Sequence, residues 1–485
     1  MLYIEANQMT YERNGKKIIN IPHLKFYEGD KIGLIGPNGC VKSTLLKLLA
    51  GKLACDTGYF KRYGNYEYIP QLEQVDAETI GTKTLSVLQV NHTNLACMSG
   101  GEQSRVKLGK MLESYVHFLL IDEPTSSLDE QGIKQFKGQI KRFNESYILV
   151  SHNRDVLDAL CNKIWEMTDG NIVEYVGNYS NYLKIKDEQK RFQIEAYETY
   201  IKTKENLEKI KKDKAKKASK MTKKNQKVSQ KDYGAKCLAS ATKSYQTKEK
   251  SLHQASKAIQ GRIDRLEVKE KVKEDKKVDF YIPQRSILNT SYAISGNELN
   301  KKVGAERHLL KSAHFNLITG EKTALIGPNG IGKTTLLEMI IHQEAGIIYA
   351  PKAKIGYFNQ KIDRLDDEKT ILENVQASSV YQEKKIRIFL GQMLFTGEQV
   401  HKSVKVLSGG ERVKVALAKI FLSDFNIIVL DEPTNYLDLP TIKVLEQTMI
   451  DYSGTILFTS HDKRLVEEVA DSILEIRDYQ IIKIK

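Results

Sequence analysis

Apolar positions along this chain fall into runs of two kinds. Short continuous runs, such as 324–326 and 427–430, read as strands buried on both faces of a mostly parallel sheet. The first is followed by a glycine-rich turn and then by the apolar stretch 336–341, so strand, glycine loop and helix come in that order. The second kind is sparse. From 187 to about 217 there is no Gly or Pro, and Ile194, Tyr197 and Ile201 mark a thin apolar stripe on an otherwise Glu-, Lys- and Gln-rich helix. A second helix is expected over about 247–273, where Leu252, Ala255, Ile259, Ile263 and Leu266 recur at spacings of three and four. Two antiparallel helices packed along these stripes account for both patterns. The polar, basic stretch between them, broken by Gly234, is expected to form the mobile tip of a hairpin. At about 1.5 Å per residue the first helix alone would reach about 45 Å. No run approaches the roughly 18 to 20 consecutive apolar residues that cross a bilayer.

The flanking segments are one module written twice. GPNGCVKST, beginning at Gly36, is answered by GPNGIGKTT, beginning at Gly327, and YIPQ ending at Gln71 by GYFNQ ending at Gln360. The Ser-Gly-Gly elements at Ser99 and Ser408, the Asp-Glu-Pro elements at Asp122 and Asp431, and His152 and His461 share one spacing of 309 residues. Five ordered matches identify a duplicated domain, with the first copy shortened between its glutamine and its Ser-Gly-Gly element. The fold class is therefore α/β, with phosphate loops at strand C-termini. The expected boundaries are 1–186 for the first copy, 187–283 for the helical hairpin with its tip near 218–246, and 284–485 for the second copy.

At 485 residues and 55.2 kDa the chain is too long for one core, in keeping with this division. Charge sharpens the picture. Of 75 Lys+Arg and 61 Asp+Glu, the segment 201–280 holds 25 and 11, so the whole net excess of +14 sits there and the remainder is balanced. A concentrated excess is the footprint of a surface that meets phosphate backbone or anionic lipid. The five cysteines show no C-x-x-C spacing and read as ordinary reduced thiols. The mixed-charge start MLYIEANQMTYERNGKK lacks the order of a signal peptide, so a cytoplasmic location is expected.

A glycine-rich loop entering a helix aims several backbone N–H groups at a phosphate, while a lysine adds positive charge and a Ser or Thr hydroxyl a magnesium ligand. Lys333 and Thr334 fill these roles in the second copy. Asp431 at a strand end suits the magnesium shell, and Glu432 beside it suits polarising the attacking water. The first copy keeps Lys42, Ser43, Asp122, Glu123 and His152 but places Val41 where the second has Gly332. A branched Cβ restricts the backbone and crowds the nucleotide, so an impaired but not abandoned site is expected. Ser126 in place of the matching Asn435 is a smaller departure.

The two Ser-Gly-Gly elements, taken with the other four motifs, resemble the ATP-binding cassette family, in which two cassettes close head to tail around ATP. Carried over by motif, the resemblance places one ATP among Gly36, Asn38, Gly39, Cys40, Val41, Lys42, Ser43, Thr44, Gln71, Asp122, Glu123 and His152, facing Ser408, Gly409 and Gly410. The other lies among Gly327, Asn329, Gly330, Ile331, Gly332, Lys333, Thr334, Thr335, Gln360, Asp431, Glu432 and His461, facing Ser99, Gly100 and Gly101. Magnesium would be held by Ser43, Gln71 and Asp122 in the first and by Thr334, Gln360 and Asp431 in the second. Glu123 and Glu432 would act on water, and His152 and His461 on the γ-phosphate.

Fused cassettes joined by a basic hairpin are similar, over the whole chain, to the ABC-F subfamily of translation proteins. GYFNQKIDRLDDEKTILENVQ and VLSGGERVKVALAKIFLS look most like its Vga, Lsa and Msr antibiotic-resistance members. The resemblance implies an ATPase, a monomer whose two cassettes form an intramolecular dimer. It would bind the tRNA exit site of the bacterial ribosome, with the linker reaching toward the peptidyl transferase centre, moving peptidyl-site tRNA and promoting drug release. A housekeeping ABC-F translation factor shares these features. A transporter ATPase would leave the basic hairpin unexplained, and a DNA-repair ATPase would carry a far longer insertion.

Overall fold

The computed structural model describes residues 1–13, 15–38, 41–70, 116–125, 128–229, 238–269, 288–303, 307–359 and 365–485. The chain divides into two compact units, one formed by Met1–Tyr182 with Lys276–Lys485 and the other by Leu183–Asp275.

The larger unit holds both copies, each built on the same plan. In the first, a six-stranded sheet runs in the order Tyr66–Ile69, Phe118–Asp122, Ser146–Val150, Lys31–Ile35, Lys163–Thr168 and Asn171–Val176. In the second the order is Ile355–Phe358, Ile427–Leu430, Thr455–Thr459, Lys322–Ile326, Ser472–Arg477 and Gln480–Lys483. Strand for strand the two orders are the same, with every pairing parallel except the last, antiparallel edge. The central strands FLLID, SYILV, IIVL and TILFT are buried throughout, as a parallel sheet covered on both faces requires. A three-stranded antiparallel sheet completes each copy, Lys16–Tyr27, Leu2–Arg13 and Thr57–Arg62 in one and Arg307–Ile318, Tyr292–Val303 and Ile347–Tyr349 in the other. Between the sheets of the first copy an apolar core gathers around Phe26, Phe118 and Trp165, and in the second around Phe315, Leu336 and Val429.

This topology brings the chemistry together. The strand before each glycine loop lies beside the histidine strand, and the carboxylate strand lies on the far side of that. Their C-terminal ends converge at the crevice where parallel α/β sheets bind ligands. In the second copy a helical layer follows, with Ile371–Gln376, Glu383–Gln392 and Gly409–Phe421.

The smaller unit is built on two long helices, Tyr179–Ser229 and Leu238–Asp264. They pack as a hairpin that buries Ala218 and Ile259, and Lys211 donates to Gln260 between them. The first outruns the expected 187–217 at both ends, and the second is shifted toward the N-terminus of the expected 247–273. Residues 218–229 and 238–246 are polar, yet they contain no Gly or Pro and are rich in Lys, Gln, Ala and Ser. Most of these are good helix formers, so polarity alone does not end the helix. At the other end, Leu266 N–H closes a short turn on the Ile263 carbonyl and Val268 is exposed, leaving no apolar stripe to support another turn. Gly234, read as the break in the hairpin, lies outside the described residues. Among the described residues no helix is long and apolar enough to cross a membrane.

Candidate active site

Each phosphate loop leads into a helix, Lys42–Leu49 or Lys333–Ile341, whose N-cap makes no side-chain hydrogen bond. Elsewhere the N-caps Asp129, Asn153, Asp438 and Asp462 all accept from their own first turns. The two loop helices therefore keep their first N–H groups available for an anion. Lys42 Nζ donates to the carbonyls of Gly36 at 2.8 Å and Pro37 at 3.2 Å, and Lys333 Nζ to Gly327 at 2.7 Å and Pro328 at 3.3 Å. The loops diverge in the backbone-critical residue before the lysine. Gly332 has φ 112°, and Val41 sits at φ 67°, ψ 28°, also in the left-handed region. For a β-branched residue that is a genuine outlier.

Behind the loops stand the carboxylates. Thr334 Oγ1 and Thr459 Oγ1 donate to the two oxygens of Asp431, each at 2.8 Å, while Asp122 is hydrogen-bonded by Ser43. Asp122 Oδ1 is buried with no hydrogen-bond partner among the described residues. An unpartnered carboxylate oxygen beside a hydroxyl fits a hard cation that takes one or two protein oxygens and completes its shell with water and phosphate. Glu123 and Glu432, the next residues, have φ 47° and 49°. The same strained backbone recurs in both copies and turns each carboxylate toward its histidine. His152 Nε2 lies 3.4 Å from Glu123, and His461 Nε2 3.3 Å from Glu432.

Burial sets their protonation. It pushes Glu123 up to about 8 against the opposing pull of Lys42, and Glu432 up to about 7 against Lys333. It pushes His152 down to about 3 and His461 to about 4, with the same lysines adding to the effect, so both imidazoles are neutral. Only an ionised carboxylate can accept a proton, so activity resting on these groups must appear as pH rises. Hydrolysis by the Glu432 pocket, isolated in Glu123→Gln, should rise in kcat/KM through a midpoint near 7. The Glu123 pocket, isolated in Glu432→Gln, should rise through a midpoint near 8. Flat profiles between about pH 6 and 9 would count against these carboxylates as bases.

The two copies face one another. One cavity of about 880 Å³ is lined by Lys42, Ser43 and Asp122 of the first and by Lys333, Ser408 and Gly410 of the second, among others. Asn38 N–H donates to Asp438 at 2.6 Å, and Asn38 Nδ2 to the Tyr436 carbonyl at 2.6 Å. Near the other loop, Asn329 N–H donates to Asp129 at 3.3 Å. Burial alone would raise the Asp438 carboxyl, but Lys414, 2.9 Å away, and the Asn38 N–H hold it below the usual carboxylate range. Asp129 and Asp438 were not among the expected site residues; the only sequence signal was a Leu-Asp pair a few residues after each Asp-Glu-Pro. Of the expected Ser-Gly-Gly contacts, Gly410 meets the first copy directly. A Cβ there would lie 2.6 Å from Asn38 Nδ2 and 2.6 Å from the Tyr436 carbonyl. Gly410→Ala would press the Tyr436 carbonyl of its own cassette and displace the Asn38 amide that reaches that carbonyl across the interface, so it should lower ATP hydrolysis at least about tenfold; wild-type turnover would show that the contact is dispensable. Ser408 lines the same cavity and also donates its hydroxyl to Glu411 in a capping box. Gly39, Cys40, Gln71, Ser99, Gly100, Gly101, Ser126 and Gln360 lie outside the described residues.

The ABC transporter family matches the chain twice, at residues 19–126 and 310–435. The erythromycin resistance ATP-binding protein MsrA of Staphylococcus epidermidis is 35% identical over 99% of this chain and 98% of its own length. The ribosome protection protein VmlR of Bacillus subtilis is 33% identical over 99% and 88%. Among solved structures, the archaeal ribosome recycling factor aABCE1, in complex with the stalk protein aP1, superposes with a TM-score of 0.64 over 98% of this chain and 90% of that one, at 20% identity. With two cassettes of one topology closing on a shared cavity and relatives matched from end to end, the chain belongs to the ABC-F type of ATP-binding protein and is an ATP-hydrolysing enzyme.

Proposed function

We propose that this ATPase protects bacterial ribosomes from antibiotics that act at the peptidyl transferase centre and exit tunnel. The end-to-end similarity to MsrA and VmlR carries this reading. The concentration of net positive charge in 201–280 supports it, because a basic hairpin suits RNA and the rest of the chain taken together is balanced. In this account the protein is a cytoplasmic monomer with domains 1–186, 187–283 and 284–485. It closes on ATP, binds the tRNA exit site, and uses the hairpin to shift peptidyl-site tRNA so that drug leaves.

In each pocket the loop N–H groups and Lys42 or Lys333 hold the phosphates. Ser43, Asp122 and Gln71, or Thr334, Asp431 and Gln360, would hold magnesium, which would neutralise charge on the phosphates. Glu123 and Glu432 take the proton from the attacking water. Neutral His152 and His461 donate to the γ-phosphate, and the Ser-Gly-Gly element of the opposite cassette, Ser408 to Gly410 for one pocket and Ser99 to Gly101 for the other, closes over it.

Expression in a drug-sensitive host tests the reading. Wild type should raise the inhibitory concentration of at least one lincosamide, pleuromutilin, streptogramin A or macrolide, and should sediment with ribosomes in ATP. Replacing 223–239 by a short Gly/Ser loop should abolish resistance while ATPase rate and ribosome binding are largely kept. Removing several lysines from 211–250 should flatten the fall of ribosome affinity with salt. Ribosome binding without resistance would favour a housekeeping translation factor, and no ribosome binding would overturn both.

A further inference from the structure

Behind the two histidines lies a set of charges that none of the motifs uses. Arg154, two residues after His152, reaches across to the second cassette and forks onto Glu446, with Nη1 3.2 Å from Oε2 and Nη2 on the other carboxylate oxygen. The same Nη2 is 3.2 Å from Oδ2 of Asp462. Arg154 and Glu446 are buried, at 9% and 6% exposure, and Asp462 is mostly covered, at 12%. Asp462 is the peptide neighbour of His461, and its other oxygen caps the following helix through the N–H groups of Arg464 and Leu465. His461 in turn gives its N–H to Glu432 at 3.2 Å. A reciprocal arm comes back: Arg464 lies 3.3 Å from Asp155 and 2.8 Å from Asp158 of the first cassette, on the helix that follows His152.

The duplication shows that the fold does not demand this arrangement. At the common spacing of 309 residues the counterparts of Arg154 and Glu446 are Lys463 and Lys137, which cannot pair. Lys463 instead makes a bridge to Glu130 that is more than half exposed on both sides. The buried fork exists on one side only. A fork of this kind fixes geometry, and buried it is screened little by salt.

We propose that Arg154 is a positioning residue for hydrolysis in the Glu432 pocket. It acts from the opposite cassette by holding the Asp462–His461 turn against Glu432, so that this pocket is ordered only when the cassettes are closed. Arg464 does the reciprocal service for the helix behind His152. Closure and catalytic geometry thereby become one event, and in the Glu432 pocket the coupling is the stronger because its arm is bidentate and buried.

The inference rests on the assignment of Glu123 and Glu432 made above, and the test separates the two. In full-length protein, Glu123→Gln and Glu432→Gln isolate each pocket; if the variant carrying both changes still hydrolyses at the wild-type rate, it is that assignment that fails. Arg154→Met is then combined with Glu446→Gln, so that the carboxylate holding the fork is not left charged and unpaired while Asp462 keeps its helix N–H partners, and thermal melting confirms the fold. In the Glu123→Gln background kcat should fall about tenfold or more while KM changes less than about threefold. In the Glu432→Gln background the fall should be no more than about twofold. If the double change does not fold, Arg154→Lys is read instead, keeping the charge but losing the fork, with the same one-sided loss expected. Lys463→Ala, across the same interface, should leave both pockets within about twofold of their parents. A purely structural role would lower both pockets together by the inactive fraction. Equal losses in the two backgrounds, or an unchanged Glu432 pocket, would overturn the proposal.

Discussion

The paired change Glu123→Gln and Glu432→Gln should reduce ATP turnover by about 10²- to 10⁴-fold, the range expected when a positioned general base is removed. Glutamine keeps the shape of the side chain at a strand end where the backbone is already strained, with φ 47° and 49°, so local packing survives. What it removes is a carboxylate that burial has brought to about 8 in one pocket and about 7 in the other, close to the pH at which a base works best. The cross-cassette contacts of Asn38, Asp438 and Tyr436 do not involve these glutamates. Closure on ATP should therefore persist, and the variant should accumulate in the closed state. ATPase rate and ATP-dependent sedimentation with ribosomes give the two readings. Undiminished hydrolysis would remove the glutamates from the chemistry, whereas lost hydrolysis with lost binding would mean that they also support closure.

The features legible in the sequence were those encoded locally. A glycine loop between a strand and a helix, or two carboxylates at the end of an apolar run, declares itself within about ten residues, and the duplication made each declaration twice. The cross-cassette contacts were illegible for the converse reason. Asn38 meets Asp438, and Arg154 meets Glu446, across 400 and 292 positions of chain, and no periodicity links them. Asp438 serves two ends at once, since Oδ1 caps its own helix by accepting from Thr441 while Oδ2 takes Asn38 and Lys414. Ser408 carries both kinds of information at once, since it lines the shared cavity and also closes a capping box with Glu411, a local bond that its spacing of three residues encodes. Hairpin length was misjudged because composition reports solvation and helix propensity together. Lysines and glutamines that read as a loop tip continue a helix when no glycine or proline stops them.

Substituting glycine for Val41 should raise ATP affinity at the Lys42 pocket several-fold, and placing valine at Gly332 should lower it at the Lys333 pocket by more than about tenfold. Both follow from the same backbone position. Val41 is held at φ 67°, where a β-branched residue carries strain of about 1–3 kcal/mol. Part of that is offset by packing of its side chain against the first core, so Val41→Gly relieves strain but loses burial and should change Tm little. Its effect should appear instead in the loop, whose N–H groups become free to turn onto the phosphates. Gly332 stands at φ 112°, farther from any conformation that valine adopts, and a Cβ there would press on Leu309 at 3.3 Å and 3.4 Å. Valine at that position therefore adds crowding to strain, and both Tm and binding should fall. ATP titrations in the Glu123→Gln, Glu432→Gln background resolve the two pockets as a weaker and a tighter class. Val41→Gly should shift only the weaker class and Gly332→Val only the tighter one. If Gly332→Val binds as tightly as its parent, valine in the loop is harmless and the two pockets differ for some other reason; if Val41→Gly tightens neither class, the strain at residue 41 is not felt by the nucleotide.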